Sequence, residues 1–400
     1  MLTRRTLLQG TAAASLVPAG RALAADMPGV TASEIRIGNT NPHSGPASAW
    51  GVIATAEAAY FQMINDQGGI NGRKIAFQSL DDGYSPPRTV AQTRKLVEED
   101  EVSFMFNGLG TACQTAVRQY LNAKKVPQLF VATGADKFGD PQHFPWTMGW
   151  NPSYRTEAAI YGKYLVQEKP NAKVGVLYQN DDFGKDYLLG LKDGMGEHYA
   201  SMVVKEVSYE STDPTIDSQA ISLQSAGVDA VVTAALPKIA AQMIRKIADL
   251  NWHPLHIMSN VSVSVAAVLI PAGPEKAIGM LTAAYQKDNS DPRWVNDPGM
   301  EEWRGFMKKY LPSADLADAN FGYGFATAGT MAHVLRQCGD DLSRANVMKQ
   351  AASISGLQAP TFLPGVLIAT SPSNFHPIRA MQMQKWDGAA WQLFGPVITA

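Results

Sequence analysis

Residues 101–135, EVSFMFNGLGTACQTAVRQYLNAKKVPQLFVATGA, decide the fold. Residues 102–107 form a short apolar run without polar alternation, which is typical of a strand buried on both faces of a sheet. Gly108 and Gly110 then turn the chain into a helical segment whose apolar side chains fall on one face. A second strand is predicted over residues 128–131. A strand, a helix and a second strand in this order predict an α/β fold with a parallel sheet.

Hydroxyl side chains follow both predicted strands. Thr111 begins the predicted helix, where it fits a capping box with Gln114, and Thr133 follows the second strand. The carboxyl ends of parallel strands meet at one edge of the sheet, where ligands bind and helix N-termini attract anions. We therefore predict that Thr111 and Thr133 form half of a site for a small anion. The alternative is that Thr111 only caps its helix, which is the commoner role of a threonine there.

The amino terminus has the pattern of an export signal. Residues 3–8, TRRTLL, match a twin-arginine pattern, and a weakly apolar stretch rich in Ala and Gly follows. Residues 22–24, ALA, supply a small-x-small cleavage site, so we predict that residues 1–24 are a signal peptide cleaved near Ala24. The apolar stretch is too short to span a bilayer. The prediction is a periplasmic protein, exported by the twin-arginine or the general secretory route.

The composition is that of a globular protein without a nucleic-acid partner. The 400 residues carry 34 Lys and Arg against 36 Asp and Glu, a formal net charge of −2. This balance argues against nucleic acid or an anionic membrane surface as a partner. A chain of this length normally divides into two domains. Its two cysteines, Cys113 and Cys338, either pair in an oxidising compartment or are buried as small hydrophobic residues.

The remaining chain repeats the alternation of strands and helices. Strands and helices are predicted to alternate on both sides of residues 136–157, which lack periodicity and which we interpret as a first crossover. Near the end of the chain, Asp387 and Gly388 are predicted at the turn of a β-hairpin. The pattern therefore predicts the same α/β architecture twice.

We predict an α/β fold of two doubly wound parallel-sheet lobes, joined by a multi-crossover hinge, with a ligand cleft between them. The predicted N-terminal lobe comprises residues 25–151 and about 283–356. The predicted C-terminal lobe comprises residues 152–282 and about 357–400. Repeated crossings between the lobes would place the carboxyl ends of both sheets on the two sides of the cleft.

Several segments resemble one family of binding proteins. They are IRIGNTNPHSGPASAWG at residues 35–51, AAYFQMINDQGGINGRKI at 58–75, DDGYSPPRTV at 81–90, KKVPQLFVATGA at 124–135, YQNDDFGKDY at 178–187 and SNVSVS at 259–264. On these segments the chain resembles, over nearly all of residues 34–400, the periplasmic substrate-binding proteins of ABC transporters, in the leucine/isoleucine/valine-binding family. This resemblance implies the type I binding-protein fold, a small-molecule ligand, and a membrane permease with its ATPase as partner.

The resemblance also implies a set of ligand contacts. Thr111 stands where a hydroxyl of the family binds a ligand carboxylate, and Ala132 and Thr133 stand where backbone and hydroxyl groups complete that clamp. The loop after the first strand walls the pocket for the ligand's side chain, and an aromatic residue of the second lobe closes on the ligand. The corresponding residues are Ser44 and Trp50 in the loop and Phe183 in the second lobe, with Tyr154 and Tyr323 as further candidates.

Two positions depart from the pattern of the amino-acid-binding members. Leu236 stands about where a Tyr is usual, and residues 259–262 offer Asn260 but no glutamate where the family holds the ligand's ammonium. Burying an ammonium without an opposite charge is costly. We therefore predict a small carboxylate ligand without an α-ammonium, with a hydrophobic or aromatic body. The alternative is a branched-chain or other hydrophobic amino acid, whose ammonium an Asp or Glu from another loop would hold.

The sequence lacks the common motifs of periplasmic enzymes. We find no GxSxG elbow, HExxH, P-loop or S-x-x-K constellation, so we expect a binding protein and not an enzyme. His253 and His256 straddle a Pro without a third ligand nearby, so neither a metal site nor a cofactor is predicted. A monomeric receptor is expected. The same fold also serves sensors of membrane signalling proteins, and the sequence leaves transport and sensing open.

Overall fold

The computed structural model describes residues 27–399, so the predicted signal peptide lies outside the described part of the chain. The strands are β1 (Glu34–Asn41), β2 (Lys74–Asp81), β3 (Phe104–Phe106), β4 (Gln128–Val131), β5 (Thr147–Gly149), β6 (Val174–Gln179), β7 (Val203–Tyr209), β8 (Ala230–Ala234), β9 (Leu255–Met258), β10 (Leu281–Ala284), β11 (Ala380–Trp386) and β12 (Trp391–Thr399). The helices are α1 (Val52–Asp66), α2 (Pro86–Arg94), α3 (Thr111–Ala123), α4 (Tyr154–Glu168), α5 (Asp182–Met195), α6 (Tyr199–Met202), α7 (Asp217–Ser225), α8 (Pro237–Asp249), α9 (Ile270–Ala272), α10 (Pro298–Tyr310), α11 (Ala319–Cys338) and α12 (Arg344–Ala351).

Two separate sheets are built on the same strand order. The first sheet has five parallel strands in the order β2-β1-β3-β4-β5. The second contains the parallel run β7-β6-β8-β9-β10, and the antiparallel strands β11 and β12 extend its far edge. The strand order reverses between β1 and β3 in one sheet and between β6 and β8 in the other, which is where open α/β sheets bind ligands. The prediction of two doubly wound α/β lobes is confirmed.

The chain passes between the two sheets three times. The connections run from β5 to α4, from β10 to α10 and from α12 to β11. Helices α10 and α11 follow a strand of the second sheet but pack on α1 beside the first sheet. Gly324 in α11 permits a close approach, because a Cβ there would lie 2.6 Å from the carbonyl oxygen of Ile53 in α1. These crossings form the predicted hinge, while the residue-level domain boundaries stay a prediction.

Buried apolar residues explain the central strands. β3 and β8 are buried at every position, as expected of parallel strands that helices cover on both faces. Four aromatic rings pack in series across the first sheet, with successive centroids 5.6, 6.5 and 5.3 Å apart: Phe61, Phe106, Phe130 and Trp150.

Among residues 27–399, no helix combines the length and the apolarity that a membrane crossing requires.

The predicted capping box at α3 is wrong. Gly110, with a φ of 100°, occupies the N-cap position, and Thr111 is the first residue of the helix without a side-chain cap. A positive φ favours glycine at that position. The amide of Gln114 donates to the Oγ1 of Thr40 at 2.9 Å instead of reaching back to the helix start. The hydroxyl of Thr111 is therefore available for another contact.

Three further expectations concern the first crossover, the C-terminal hairpin and the two cysteines. Residues 136–157 are not irregular throughout, because they contain β5 and the start of α4; a strand of three residues is too short to show periodicity. The hairpin of β11 and β12 forms as predicted, with the N–H of Asp387 donating to the carbonyl of Ala390 at 3.2 Å. Cys113 and Cys338 are free and buried, so the alternative without a disulfide is correct.

Candidate ligand-binding site

A small cavity lies between the carboxyl ends of the two sheets. One wall comes from the segments after β1, β3 and β4, and the other from the segments after β6, β9 and β10. The cavity volume is about 100 Å³, which compares with the ~150 Å³ cavity that accepts benzene in an engineered protein. Aromatic side chains are prominent in the lining: Trp50, Tyr84, Tyr154, Phe183, Tyr285, Tyr323 and Trp391. The cavity therefore suits a small ligand with an apolar body.

Thr111 and Thr133 meet at the first wall. Thr111 is buried and lines the cavity, and its Oγ1 lies 2.7 Å from the Oγ1 of Thr133. Thr133 lies behind it, outside the lining, and its Oγ1 accepts the N–H of Ala135 at 3.1 Å. Because Thr111 is the first residue of α3, the unbonded N–H groups of the first helical turn lie beside it. A hydroxyl and a helix N-terminus at one place offer donors to an anion.

Ala132 also lines the cavity, but its backbone groups are engaged within the first lobe. Its N–H donates to the carbonyl of Gly108 at 2.9 Å, and its carbonyl accepts the N–H of Gly110 at 3.3 Å. The N–H of Thr133 donates to the carbonyl of Val131 at 2.8 Å. The backbone groups that were predicted to complete the clamp therefore hold the loop together. The donors for an anion at this wall come from α3.

Capped helix ends position two of the predicted aromatic contacts. Asp181 caps α5 by accepting the N–H of Phe183 at 3.0 Å, which fixes Phe183 in the first turn. Ser153 caps α4 by accepting the N–H of Thr156 at 3.1 Å and places Tyr154 at the helix start. The rings of Phe183 and Tyr154 pack with centroids 4.8 Å apart, and both residues line the cavity.

Trp50 connects the two walls. It ends a short 3-10 helix, Ser48–Trp50, after β1, and its indole N–H donates to the carbonyl of Val261 at 3.1 Å, in the segment after β9. A second hydrogen bond between the lobes runs from the Nε2 of Gln179 to the Oη of Tyr84 at 3.3 Å. The structure thus shows the two lobes closed around the cavity.

Asn260 lines the second wall and is tied to a buried carboxyl group. Its N–H donates to the Oε1 of Glu157 at 2.8 Å, and its Nδ2 donates to the carbonyl of Ala283 at 2.6 Å. Glu157 also accepts a hydrogen bond from the hydroxyl of Tyr161 at 2.6 Å. Burial raises the pKa of the Glu157 carboxyl to about 7, against these hydrogen bonds, which lower it. Glu157 is outside the lining, whereas Asn260 lines the cavity, and the Oδ1 of Asn260 makes no hydrogen bond within the described residues.

Ser44 and Leu236, both predicted as contacts, lie outside the cavity lining. Ser44 is exposed, and its N–H and hydroxyl donate to the carboxylate of Asp81 at 3.1 and 2.6 Å, so it closes a turn. Leu236 is fully buried in the core at the N-cap of α8, and its N–H donates to the Oη of Tyr209 at 2.8 Å. The predicted residues that the structure does bring to the cavity are Trp50, Thr111, Ala132, Tyr154, Phe183, Asn260 and Tyr323.

Polar residues after β10 and on β11 line the cavity without having been predicted. They are Gln286, Lys287, Asp288, Asn320 and Gln384. The Nζ of Lys287 pairs with Asp297 at 2.6 Å. The Oδ1 of Asp288 accepts from Ser290, its Oδ2 has no hydrogen-bond partner among residues 27–399, and burial raises the pKa of this carboxyl. Residues 286–291, QKDNSD, follow an apolar run that forms β10. A prediction of this run as a strand would have identified residues 286–291 as a loop at the end of a strand.

The described residues contain no group of three or more His, Cys, Asp or Glu that could hold a metal ion. His256 is buried with its Nε2 3.0 Å from the Oγ1 of Thr233, and burial lowers the pKa of its imidazole to about 3. His253 is exposed and contacts Asn251. The two histidines make separate local contacts.

Two α/β lobes that close on a small cavity at the carboxyl ends of their sheets define the class of hinged solute receptors. Comparison with known proteins gives the family within this class. The family described as "Periplasmic binding protein" matches residues 34–390, and this chain belongs to that family.

Individual relatives match most of the chain. The "Leu/Ile/Val-binding protein homolog 1" of Brucella suis biovar 1 (strain 1330) is 25% identical over 359 residues, which cover 87% of this chain and 88% of the relative. A branched chain amino acid ABC transporter structure from Thermus thermophilus with bound valine has a TM-score of 0.80 at 16% identity, covering 92% of this chain and 97% of that one. A fatty acid ABC transporter substrate-binding protein from Thermomonospora curvata has a TM-score of 0.77 at 21% identity, covering 93% and 94%. At these identities the structural likeness shows the fold alone.

Proposed function

We propose that this chain is the periplasmic solute-binding component of an ABC transporter and that its ligand is a small carboxylate with a hydrophobic or aromatic body. The ligand enters between the lobes, which close on it about the hinge. The proposal includes export by the predicted signal peptide, a monomeric receptor, and docking on a membrane permease that works with an ATPase. The receptor encloses and releases its ligand unchanged, without catalysis.

The position of Thr111 is the observation that carries this proposal. Thr111 lines a wall of the cavity among aromatic side chains, and it is the first residue of α3. A helix N-terminus stabilises negative charge, and a hydrogen bond to a charged group is worth about 1.5–3 kcal/mol. A ring or a branched chain would fill the apolar remainder of the cavity.

The charges around the cavity favour an acid without an α-ammonium. Among the described lining residues, Lys287 and Asp288 are the only members of the Lys, Arg, His, Asp and Glu types. Lys287 is paired with Asp297. Burial raises the pKa of Asp288, which favours its neutral form, and Glu157 lies behind Asn260. A ligand ammonium would therefore meet Asp288 alone among the described lining carboxyl groups, and the Oδ2 of that group is buried.

A hydrophobic amino acid is the second candidate ligand, and Asp288 is the observation that favours it. Its buried Oδ2 lacks a hydrogen-bond partner in the described part of the chain, and an ammonium that reached this oxygen would stabilise the ionised form. The relative from Brucella suis is named for leucine, isoleucine and valine, and the Thermus thermophilus structure contains valine. The Thermomonospora curvata protein is named for fatty acids, which have no ammonium group.

Isothermal titration calorimetry with a ligand panel distinguishes the two candidates. The panel contains benzoate-type, phenylpropanoid and branched-chain acids on one side, and leucine, valine and phenylalanine on the other. The proposal expects an acid to bind and its uncharged methyl ester to bind far more weakly. Tight binding of the amino acids, with no response to the acids, would overturn the proposed ligand. Asp288→Asn provides the matched variant, because it weakens binding only of a ligand that carries an ammonium.

Transport and sensing differ in the membrane partner. A transport receptor docks on a permease, whereas a sensor of the same fold passes its signal to a membrane kinase or chemoreceptor. Genes for a permease and an ATPase beside the gene for this chain would support transport. A neighbouring kinase or chemoreceptor gene, with no permease gene, would support sensing instead.

A further inference from the structure

Gln384 contributes an unpaired amide to the cavity. It lies on β11 opposite Thr282 of β10, it is 5% exposed, and it lines the cavity. Its side chain has no hydrogen-bond partner in the part of the chain that the structure describes. The amide atoms of Gln384 are not among the fully buried polar atoms that lack a partner, so they stay accessible from the cavity. A ligand group in the cavity can therefore hydrogen-bond this amide.

Other polar side chains of the same cavity are held by the protein itself. The Oγ of Ser264 donates to the Oδ1 of Asp318 at 3.0 Å, and the Nδ2 of Asn320 donates to the same oxygen at 2.8 Å. The Oδ1 of Asp288 accepts the hydroxyl proton of Ser290 at 2.8 Å. These bonds fix their side chains in place. The amide of Gln384 has no such bond, so its donor and its acceptor are both available to a ligand.

We propose that Gln384 is a specificity-determining residue whose amide hydrogen-bonds a neutral polar group of the ligand, such as a hydroxyl, carbonyl or amide group. The inference rests on the proposed function, in which Thr111 of the first lobe holds the carboxylate. Because Gln384 belongs to the second sheet, a ligand that contacts both residues is bifunctional. It has a carboxylate for the first lobe, an apolar body for the aromatic walls, and a neutral polar group for the hairpin of the second lobe.

The surroundings favour a neutral group over a second charge. A charged group would need an opposite charge at that end of the cavity to offset its loss of water. The charge of Lys287 is already matched by Asp297 at 2.6 Å. An amide offers one donor side and one acceptor side, which a hydroxyl group can match with its own single proton and its lone pairs.

Matched pairs of compounds test this inference on the intact protein. Benzoate and phenylpropanoate are titrated with and without a 3- or 4-hydroxyl group, and the primary amides of the same acids are titrated beside them. We expect the hydroxylated acids to bind about tenfold more tightly than the unsubstituted ones, because the buried amide then gains a hydrogen bond.

Three variants locate the effect at Gln384. Gln384→Met keeps the length of the side chain and removes the amide, so it should weaken binding of the hydroxylated acids about tenfold and leave the unsubstituted acids as tight or tighter. Gln384→Glu keeps the size and an acceptor but removes the donor, so the hydroxyl preference should persist there, while a ligand group that only accepts hydrogen bonds should lose its contact. Gln382→Met is the control on the same strand, because Gln382 lies outside the lining and its Nε2 donates to the carbonyl of Gly395 at 2.7 Å. Thermal melting shows that each variant is folded.

The outcomes separate this inference from the function on which it rests. A hydroxyl preference that disappears in Gln384→Met, but not in Gln382→Met, supports the inference. If acids and primary amides bind equally and both show this preference, Gln384 keeps its role and the carboxylate site at Thr111 is refuted. If acids bind without a hydroxyl preference, or with one that Gln384→Met leaves unchanged, the inference is refuted and the function stands. Failure of every compound to bind refutes both.

Discussion

The hydroxyl oxygens of Thr111 and Thr133 lie 2.7 Å apart in the interior, and of the two residues Thr111 lines the cavity. Each hydroxyl has one proton, so the direction of donation decides what a ligand finds. The Oγ1 of Thr133 accepts the N–H of Ala135 and can donate its proton to Thr111. That arrangement leaves the proton of Thr111 for the ligand. Thr133 is then a positioning residue that acts through Thr111.

Substitutions at the two threonines should have unequal effects. Thr111→Val keeps the shape and removes a donor to a charged group, so it should weaken acid binding about ten- to a hundredfold. Thr133→Val removes a bond between neutral groups, and about a two- to tenfold loss is expected. Calorimetry measures both, and Thr111→Ser, which keeps the hydroxyl, should retain the affinity. Parental affinity in Thr111→Val would exclude a carboxylate at this wall.

Trp50 should control how long the lobes stay closed. Trp50→Phe keeps an aromatic ring and removes the hydrogen bond to Val261 across the cleft. We expect ligand dissociation, measured by stopped-flow fluorescence, to accelerate about two- to tenfold, the effect of one neutral hydrogen bond. Trp252→Phe is the control, because it removes an equivalent 2.9 Å bond to Val228 within the second lobe. A similar acceleration in both variants would contradict a closing role for Trp50.

The fold is readable from the sequence because its signals are local. The apolar run at β3 and the glycines after it mark a buried strand and a turn without reference to distant residues. Thr111 and Ala132 reach the cavity because each follows a strand of a parallel sheet, and the sheet edge fixes where such residues lie. The predicted capping role of Thr111 is wrong because the N-cap of α3 is Gly110, one residue earlier, whose positive φ is not apparent from the sequence.

The rest of the site depends on contacts that one sequence does not display. Gln384 reaches the cavity through the pairing of β11 with β10, strands that lie about a hundred residues apart in the chain. Asp288 follows β10, whose four residues give no periodic signal. Ser44 is in the expected loop, but its hydroxyl donates a hydrogen bond to the carboxylate of Asp81 at the end of the next strand. These competing local bonds decide which residue of a loop faces the ligand.

Two glycines in neighbouring helices should respond to alanine in opposite directions. A Cβ at Gly324 in α11 would lie 2.6 Å from the carbonyl oxygen of Ile53 and 2.8 Å from the Cβ of Ala56, so Gly324→Ala should destabilise the protein by about 1–3 kcal/mol. Gly305 in α10 is exposed, and a Cβ there would meet no heavy atom within 4 Å, so Gly305→Ala should stabilise the protein by about 0.5–1 kcal/mol. Urea unfolding measures both changes. Tolerance of alanine at Gly324 would contradict the close contact of α1 with α11.

The buried carboxyl of Glu157 should make the stability fall between pH 4.5 and 7. Burial raises its pKa from 4.5 to about 7 in the folded protein. Well below pH 4.5 the carboxyl is protonated in both the folded and the unfolded state. Between pH 4.5 and 7 the unfolded chain has released this proton while the folded protein still holds it, so the free energy of unfolding falls as the pH rises, and the fall ends above pH 7. The full difference is about 3 kcal/mol. Glu157→Gln keeps an acceptor for the N–H of Asn260 and the hydroxyl of Tyr161 and removes the titration. Urea unfolding at pH 4.5 and 8 should therefore show a smaller loss of stability in Glu157→Gln than in the parent, and equal losses would contradict a buried, neutral Glu157.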